Sequence, residues 1–289
     1  MRLPPIAGAA ALALLTAAAA HADGHYVPGV EGIQGPSVPP AGVYYLGYLV
    51  NYNIDSLRAP GSSTVPGHNT GTVTALANRF VWVTNYKLLG ADYGMEAIVP
   101  VMRTSLTFNA AGISESRSGV GDVYLGPLVL GWHGQQWDAV AAAGLWLDNA
   151  SDSHPASPGK GFRSTMLTGG LTYYFDTAKT VSGSALMRYE FNSRNNGFRP
   201  GQQLTVEWGL GKSFGSFQAG VVGYSQWQTS DDSGLGATTD RARRHALGAE
   251  LVYPIPGAGV FLKGAAYKEF GVRNSTKGQL VRFTLVKAF

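Results

Sequence analysis

His154 and Ser157 pair a base with a hydroxyl in the run His154-Pro155-Ala156-Ser157-Pro158, the residue types that acyl transfer from a lipid or ester would need. Such chemistry also needs the pair held rigidly within hydrogen-bond reach. Two prolines break this stretch, so no strand fixes the geometry, and a barrel lipid hydrolase is the weakest of three functional readings. Asp231, Asp232 and Asp240 share another loop and offer hard oxygen ligands, but without the glycine-punctuated spacing of a calcium loop. Arg241, Arg243 and Arg244 stand beside them and suggest a charged rim that meets lipopolysaccharide phosphates through charge-assisted hydrogen bonds. Gly119-Val120-Gly121-Asp122 resembles half of a dinucleotide fingerprint, yet it is expected to open a strand and not a helix, so no phosphate site follows. Cysteine is absent, which removes disulfides, thiolate metal sites and cysteine nucleophiles. No cofactor, no metal and no enzymatic activity are expected. The formal net charge of +4 is dispersed, and nothing in it favours nucleic acid.

A second set of charged residues sits at alternating positions. In 203–210, Leu204, Val206, Trp208 and Leu210 make an apolar face, and Gln203, Thr205, Glu207 and Gly209 make the other. In 181–191, Val181, Ala185, Met187, Tyr189 and Phe191 oppose Ser182, Ser184, Arg188 and Glu190, which puts Arg188 and Glu190 on one wall. A charge on the lipid face at mid-depth costs about 2–4 kcal/mol for Arg or Lys, so the charged parity must face a lumen. The same reasoning places Arg79, Glu96, Asp122, Glu250, Lys263, Glu269 and Arg282 inside. Ile98, Met102, Leu128, Leu130, Leu186, Val222 and Tyr224 share that parity, giving a mixed lining suited to an apolar solute or to packing against an internal segment.

The elements that position these residues are β-strands. The chain has 14 Tyr, 12 Phe, 6 Trp and 39 Gly with 14% charged residues, and 45% of it is hydrophobic. After the first 22 residues the longest apolar run is Ala139 to Leu147, far short of the ~20 residues a membrane helix needs. A membrane span must then be a closed barrel, because each unpaired backbone group in hydrocarbon costs several kcal/mol. About twelve strands are expected, near 43–55, 72–86, 92–106, 119–132, 137–149, 162–175, 180–191, 202–214, 216–229, 241–253, 259–270 and 279–289, with the first pairing the last. Short turns at Leu89-Gly90, Gly134-Gln135, Asp176–Lys179 and Gly215 mark the periplasmic end, and long loops at 56–71, 107–118, 150–161, 192–201 and 230–240 mark the outer end. Trp132, Trp137, Tyr173, Phe175, Phe214, Phe217, Tyr253 and Phe289 gather beside the short turns as an interfacial girdle.

The last strand, Leu280 to Phe289, alternates Val281, Phe283 and Leu285 with Arg282 and Thr284. It stops on Phe289, an aromatic terminus of the kind that engages barrel-assembly machinery. Lys287 departs from the apolar residue usual there. At the other end, Arg2, the apolar stretch Ile6–Ala20 and Ala20-His21-Ala22 read as a cleaved signal peptide over 1–22, and hence as export to the bacterial outer membrane. Residues 23–41 are rich in Gly and Pro and should be irregular, either a periplasmic leader or a short plug anchored by Tyr26, Val27, Val30 and Ile33. The barrel occupies 42–289.

Gly24-His25-Tyr26-Val27-Pro28-Gly29, then Pro39-Pro40-Ala41-Gly42-Val43-Tyr44, then Gly119-Val120-Gly121-Asp122 resemble, in order and spacing, outer-membrane proteins associated with phenol meta-cleavage pathways. Ala41 replaces a proline common in that family. The resemblance implies an all-β barrel of about twelve strands, distantly like fatty-acid channels, that admits hydrophobic or aromatic compounds. The leading expectation is a passive channel for a small hydrophobic solute, and the alternative is a closed structural or envelope-interaction barrel.

Overall fold

The computed structural model describes residues 24–289. The proposed signal peptide at 1–22 lies outside the described residues. The strands are β1 (Gly42–Arg58), β2 (Asn69–Leu88), β3 (Ala91–Phe108), β4 (Ile113–Val120), β5 (Tyr124–His133), β6 (Trp137–Trp146), β7 (Ser164–Tyr174) and β8 (Val181–Asn192), followed by the two-residue β9 (Phe198–Arg199). After these come β10 (Gln203–Ser213), β11 (Gln218–Gln228), the two-residue β12 (Ser233–Gly234), β13 (Arg243–Ile255), β14 (Val260–Arg273) and β15 (Ser275–Ala288). One helical turn, Asn109–Ala111, interrupts them.

Every neighbour is antiparallel, and β1 pairs with both β2 and β15, so the sheet closes on itself. At the seam Leu49 faces Phe283 and Val50 faces Arg282. β4 and β5 both pair with β3 and share one stave, which makes twelve staves in all. β9 and β12 pair with each other away from the wall.

Alternation separates the faces. Leu49, Phe80, Met187, Leu210, Leu247 and Phe283 are exposed on the outside, while Val50, Arg188, Glu207, Glu250 and Arg282 are buried on the inside. Closure leaves no edge in the hydrocarbon, and the apolar exterior meets lipid. Trp137, Tyr173, Phe175, Phe214, Phe217 and Tyr253 are exposed beside the short turns, and Phe289 is 79% exposed at the same end.

Four expectations need correction. Residues 107–118 are not a long loop: β3 runs to Phe108, Gly112 turns in the left-handed region at φ 66°, and β4 starts at Ile113. The fourth stave therefore begins well before Gly119, and Gly121-Asp122-Val123 is a break within it. Strands 259–270 and 279–289 extend toward each other and meet at Asn274 alone, whose φ is 47°. A bulge between Leu125 and Leu128 shifts parity in β5. Val129 and the Cα of Gly131, instead of Leu128 and Leu130, consequently face the interior against Val38.

Candidate functional site

Residues 24–41 have no regular structure and lie within the barrel, where the backbone N–H groups of His25, Tyr26, Glu31 and Ile33 are paired with carboxylates from the wall. Glu190 accepts from the backbone N–H of His25 at 2.9 Å and of Tyr26 at 3.3 Å. Glu207 accepts from Glu31 N–H at 3.1 Å and from the Tyr26 hydroxyl. Glu250 accepts from Ile33 N–H and pairs with Arg282, which also donates to the Val30 carbonyl. Arg282 has 0% exposure. Gly32 passes directly over Glu250 with φ 68°, and a Cβ there would lie 2.0 Å from a carboxylate oxygen. Only glycine allows this approach.

Apolar contacts hold the rest of the segment. Ile33 packs with Tyr48, Val50, Val222 and Tyr224, and Val38 packs with Val81, Val83 and Val129. Tyr26 packs with Tyr124, Trp146 and Met166, while Val30 touches two of these clusters. Val27 is 47% exposed and lines a cavity.

At the middle of the segment, the Glu31 carboxylate accepts from Arg79 Nη1 at 3.0 Å and from Arg188 Nη2 at 2.6 Å. Burial alone would raise this carboxyl, but the Arg79 and Arg188 guanidiniums outweigh it and hold it at about 2. Arg79 also donates from Nε to Glu96 at 2.6 Å and from Nη1 to the Tyr48 hydroxyl at 3.1 Å. The Arg188 guanidinium lies 4.2 Å from the centre of the Tyr26 ring.

Two cavities flank this knot. The outer one, about 290 Å³, is lined by Ile54, Ile98, Met102, Phe108, Trp146 and Leu280 among others. The inner one, about 470 Å³, is lined by Val38, Leu46, Val81, Val129, Leu186 and Lys263 among others. Glu31, Arg79, Glu96, Arg188 and Tyr48 border both.

Of the residues selected from sequence, Arg79, Arg188, Glu190, Glu207, Glu250 and Arg282 bond to the segment, and Glu96 reaches it through Arg79. Arg188 reaches Glu31 and not its wall neighbour Glu190. Lys263 lines the inner cavity, and Tyr224 donates to Glu269 at 2.9 Å. Asp122 sits in the break of the fourth stave, where it accepts from the N–H groups of Asn149, Ala150 and Lys160 at 2.8–3.0 Å and lies 3.4 Å from His25.

Three interior groups were missed from sequence. Glu31 and His25 are polar residues in an irregular stretch, and Tyr48 reads there as one of many barrel aromatics. The outer arginines also divide: Arg241 pairs with Asp231 at 2.8 Å, whereas Arg244 is buried near Glu269 and donates to Ser275, so it does not belong to a rim. The His154 ring approaches Glu115 at 3.7 Å, while Ser157 Oγ accepts from the His154 backbone N–H at 3.0 Å, so the imidazole is not placed on the hydroxyl.

A closed antiparallel barrel of twelve staves, apolar outside and crossed inside by its own N-terminal segment, is a transmembrane barrel of the bacterial outer-membrane type. The chain belongs to the family described as "Putative MetA-pathway of phenol degradation", whose model matches residues 54–285. In structure it is similar to an outer membrane channel from Pseudomonas putida F1, with a TM-score of 0.79 and 15% identity over 92% of this chain and 100% of that one. It is also similar to the transport unit of the autotransporter AIDA-I from Escherichia coli, with a TM-score of 0.53 and 10% identity over 100% of each chain. The translocator domain of the autotransporter NalP from Neisseria meningitidis gives a TM-score of 0.51 and 10% identity over 88% of this chain and 91% of that one. No curated protein matches the sequence.

Proposed function

We propose that the protein is a passive outer-membrane channel for small hydrophobic solutes, aromatic compounds among them, in which residues 24–41 act as an internal plug. The observation that carries this reading is the pair of apolar-lined cavities in series, divided only by the segment and its ion pairs. A water-filled porin lumen would expose Ile98, Met102, Val81 and Leu186 at a cost in free energy, whereas an apolar solute gains by touching them. The family description and the channel from Pseudomonas putida F1 point the same way.

The many ion pairs between segment and wall support a second reading, a closed barrel with an envelope role. The separation of the His154 ring from Ser157 speaks against a hydrolase. The exposed terminal Phe289 is the proposed handle for barrel-assembly machinery, and Arg241 and Arg243 are the remaining candidates for contact with lipopolysaccharide.

Liposomes carrying the refolded protein should take up an alkylbenzene faster than a sugar of similar size, and deleting 24–41 should raise ion conductance. Equal uptake of both solutes would mean a general pore. Uptake of neither, with conductance unchanged by the deletion, would favour the closed barrel.

A further inference from the structure

The knot at Glu31 has the composition of an occupied anion site. Two guanidiniums from opposite parts of the wall, Arg79 on β2 and Arg188 on β8, converge on one carboxylate oxygen. Their other bonds are unequal. Arg79 keeps Glu96 as a second carboxylate partner. Arg188 is 7% exposed, and its Nε and Nη1 are buried with no hydrogen-bond partner, although the side chain borders both cavities. A buried guanidinium with idle donors between two apolar chambers is suited to a planar anion.

The segment's own occupant shows the shape that fits. Tyr26 places an aromatic ring over Arg188, and Glu31 places a carboxylate between Arg188 and Arg79. We propose that Arg79 and Arg188 form a binding site for the carboxylate of an apolar monoacid, an aryl or alkyl carboxylate, which passes the knot by displacing Glu31. This rests on the channel reading above and adds the solute's charge to it.

Exchange of one carboxylate for another conserves the ionic state of the knot. A neutral solute that pushed Glu31 aside would leave Arg188 buried without a counter-charge, and a cation would meet two guanidiniums. Each of those costs more than like-for-like replacement. The apolar part of the acid would meanwhile stay in contact with Ile98 and Met166 on the outer side or Val81 and Leu186 on the inner side. Beyond the knot, Lys263 in the wall of the inner cavity continues the positive path toward the periplasm.

The test is calorimetric titration of the refolded full chain at pH 8 with benzoate, benzamide and benzylammonium. Benzoate should bind at least about tenfold more tightly than the other two, the ratio expected for charge-assisted bonds worth about 1.5–3 kcal/mol. Glu31→Gln removes the competing charge with little change of shape and should tighten benzoate binding further. Arg188→Gln should abolish the preference while benzamide still enters liposomes. Equal affinity for benzoate and benzamide, or weaker benzoate binding by Glu31→Gln, would overturn the proposal. The Glu31→Gln result decides the matter even where Arg188→Gln fails to fold, which heat-modified gel migration reveals. Liposome uptake of benzamide without a benzoate preference removes this site and leaves the channel standing. Uptake of neither removes both.

Discussion

Arg282→Met tests whether the lumen is held by paired charges or only filled by them. Arg282 is fully buried, pairs with Glu250 and donates to the Val30 carbonyl. Methionine keeps most of the stem, so the main loss is electrostatic. Glu250 would retain Ile33 N–H as its hydrogen-bond donor and would be left as a buried, under-compensated carboxylate. Breaking one partner of such a pair costs about 3–5 kcal/mol, whereas replacing both with apolar groups is often close to neutral. The double variant Arg282→Met/Glu250→Leu removes the uncompensated charge and loses only the bonds to Val30 and Ile33, so it should cost no more than the single change. Urea unfolding of the refolded barrel in detergent, followed by tryptophan fluorescence, measures both. A single-variant cost below about 1 kcal/mol, or a double variant less stable than the single, would refute the view that this pair governs interior stability.

Two further outcomes follow from the same interior. The Glu31 carboxyl is held at about 2, against ~4.3 for a free glutamate, so its contribution to docking is fully present above pH ~4.3 and fades as pH falls toward ~2. Protease protection of 24–41 should therefore decline more steeply across that window in the native chain than in Glu31→Gln, and identical profiles would contradict the assignment. In Gly211→Val, the new Cβ would lie 2.5 Å from the Ile33 side chain, with Ile33 atoms as its nearest neighbours. It should loosen the segment and raise conductance without changing heat-modified migration, and unaltered conductance would show that Ile33 is not a restraint on the pore.

Much of the wall was legible because lipid imposes a strict rule on it. Leu204, Val206, Trp208 and Leu210 could lie only on the apolar side, and their alternation fixed both strand and face. Where the barrel rises beyond the apolar band, the rule lapses. Ile113 to Ser118 is Ile-Ser-Glu-Ser-Arg-Ser and reads as a loop, yet it pairs with β3 throughout. The same holds for Gly271 to Lys277, around the turn at Asn274. The bulge at Leu125–Leu128 was invisible because Leu128, Val129 and Leu130 are all apolar, and a parity change among like residues leaves no trace. Glu31 escaped notice for the opposite reason: nothing periodic surrounds it, and its importance comes from Arg79 and Arg188, which lie 48 and 157 residues away.

The separation between the segment and its partners bears on how the molecule comes to be assembled. Ile33 waits for Glu250, 217 residues further on, and Val30 for Arg282, 252 residues further on. Contacts of that span form late, because the whole intervening chain must be ordered first. The segment is made early yet has no complete berth until β15 is present to meet β1, so full docking cannot precede the arrival of that strand. The same carboxylates and arginines that occupy the lumen would then report, inside the molecule, that the last stave has arrived.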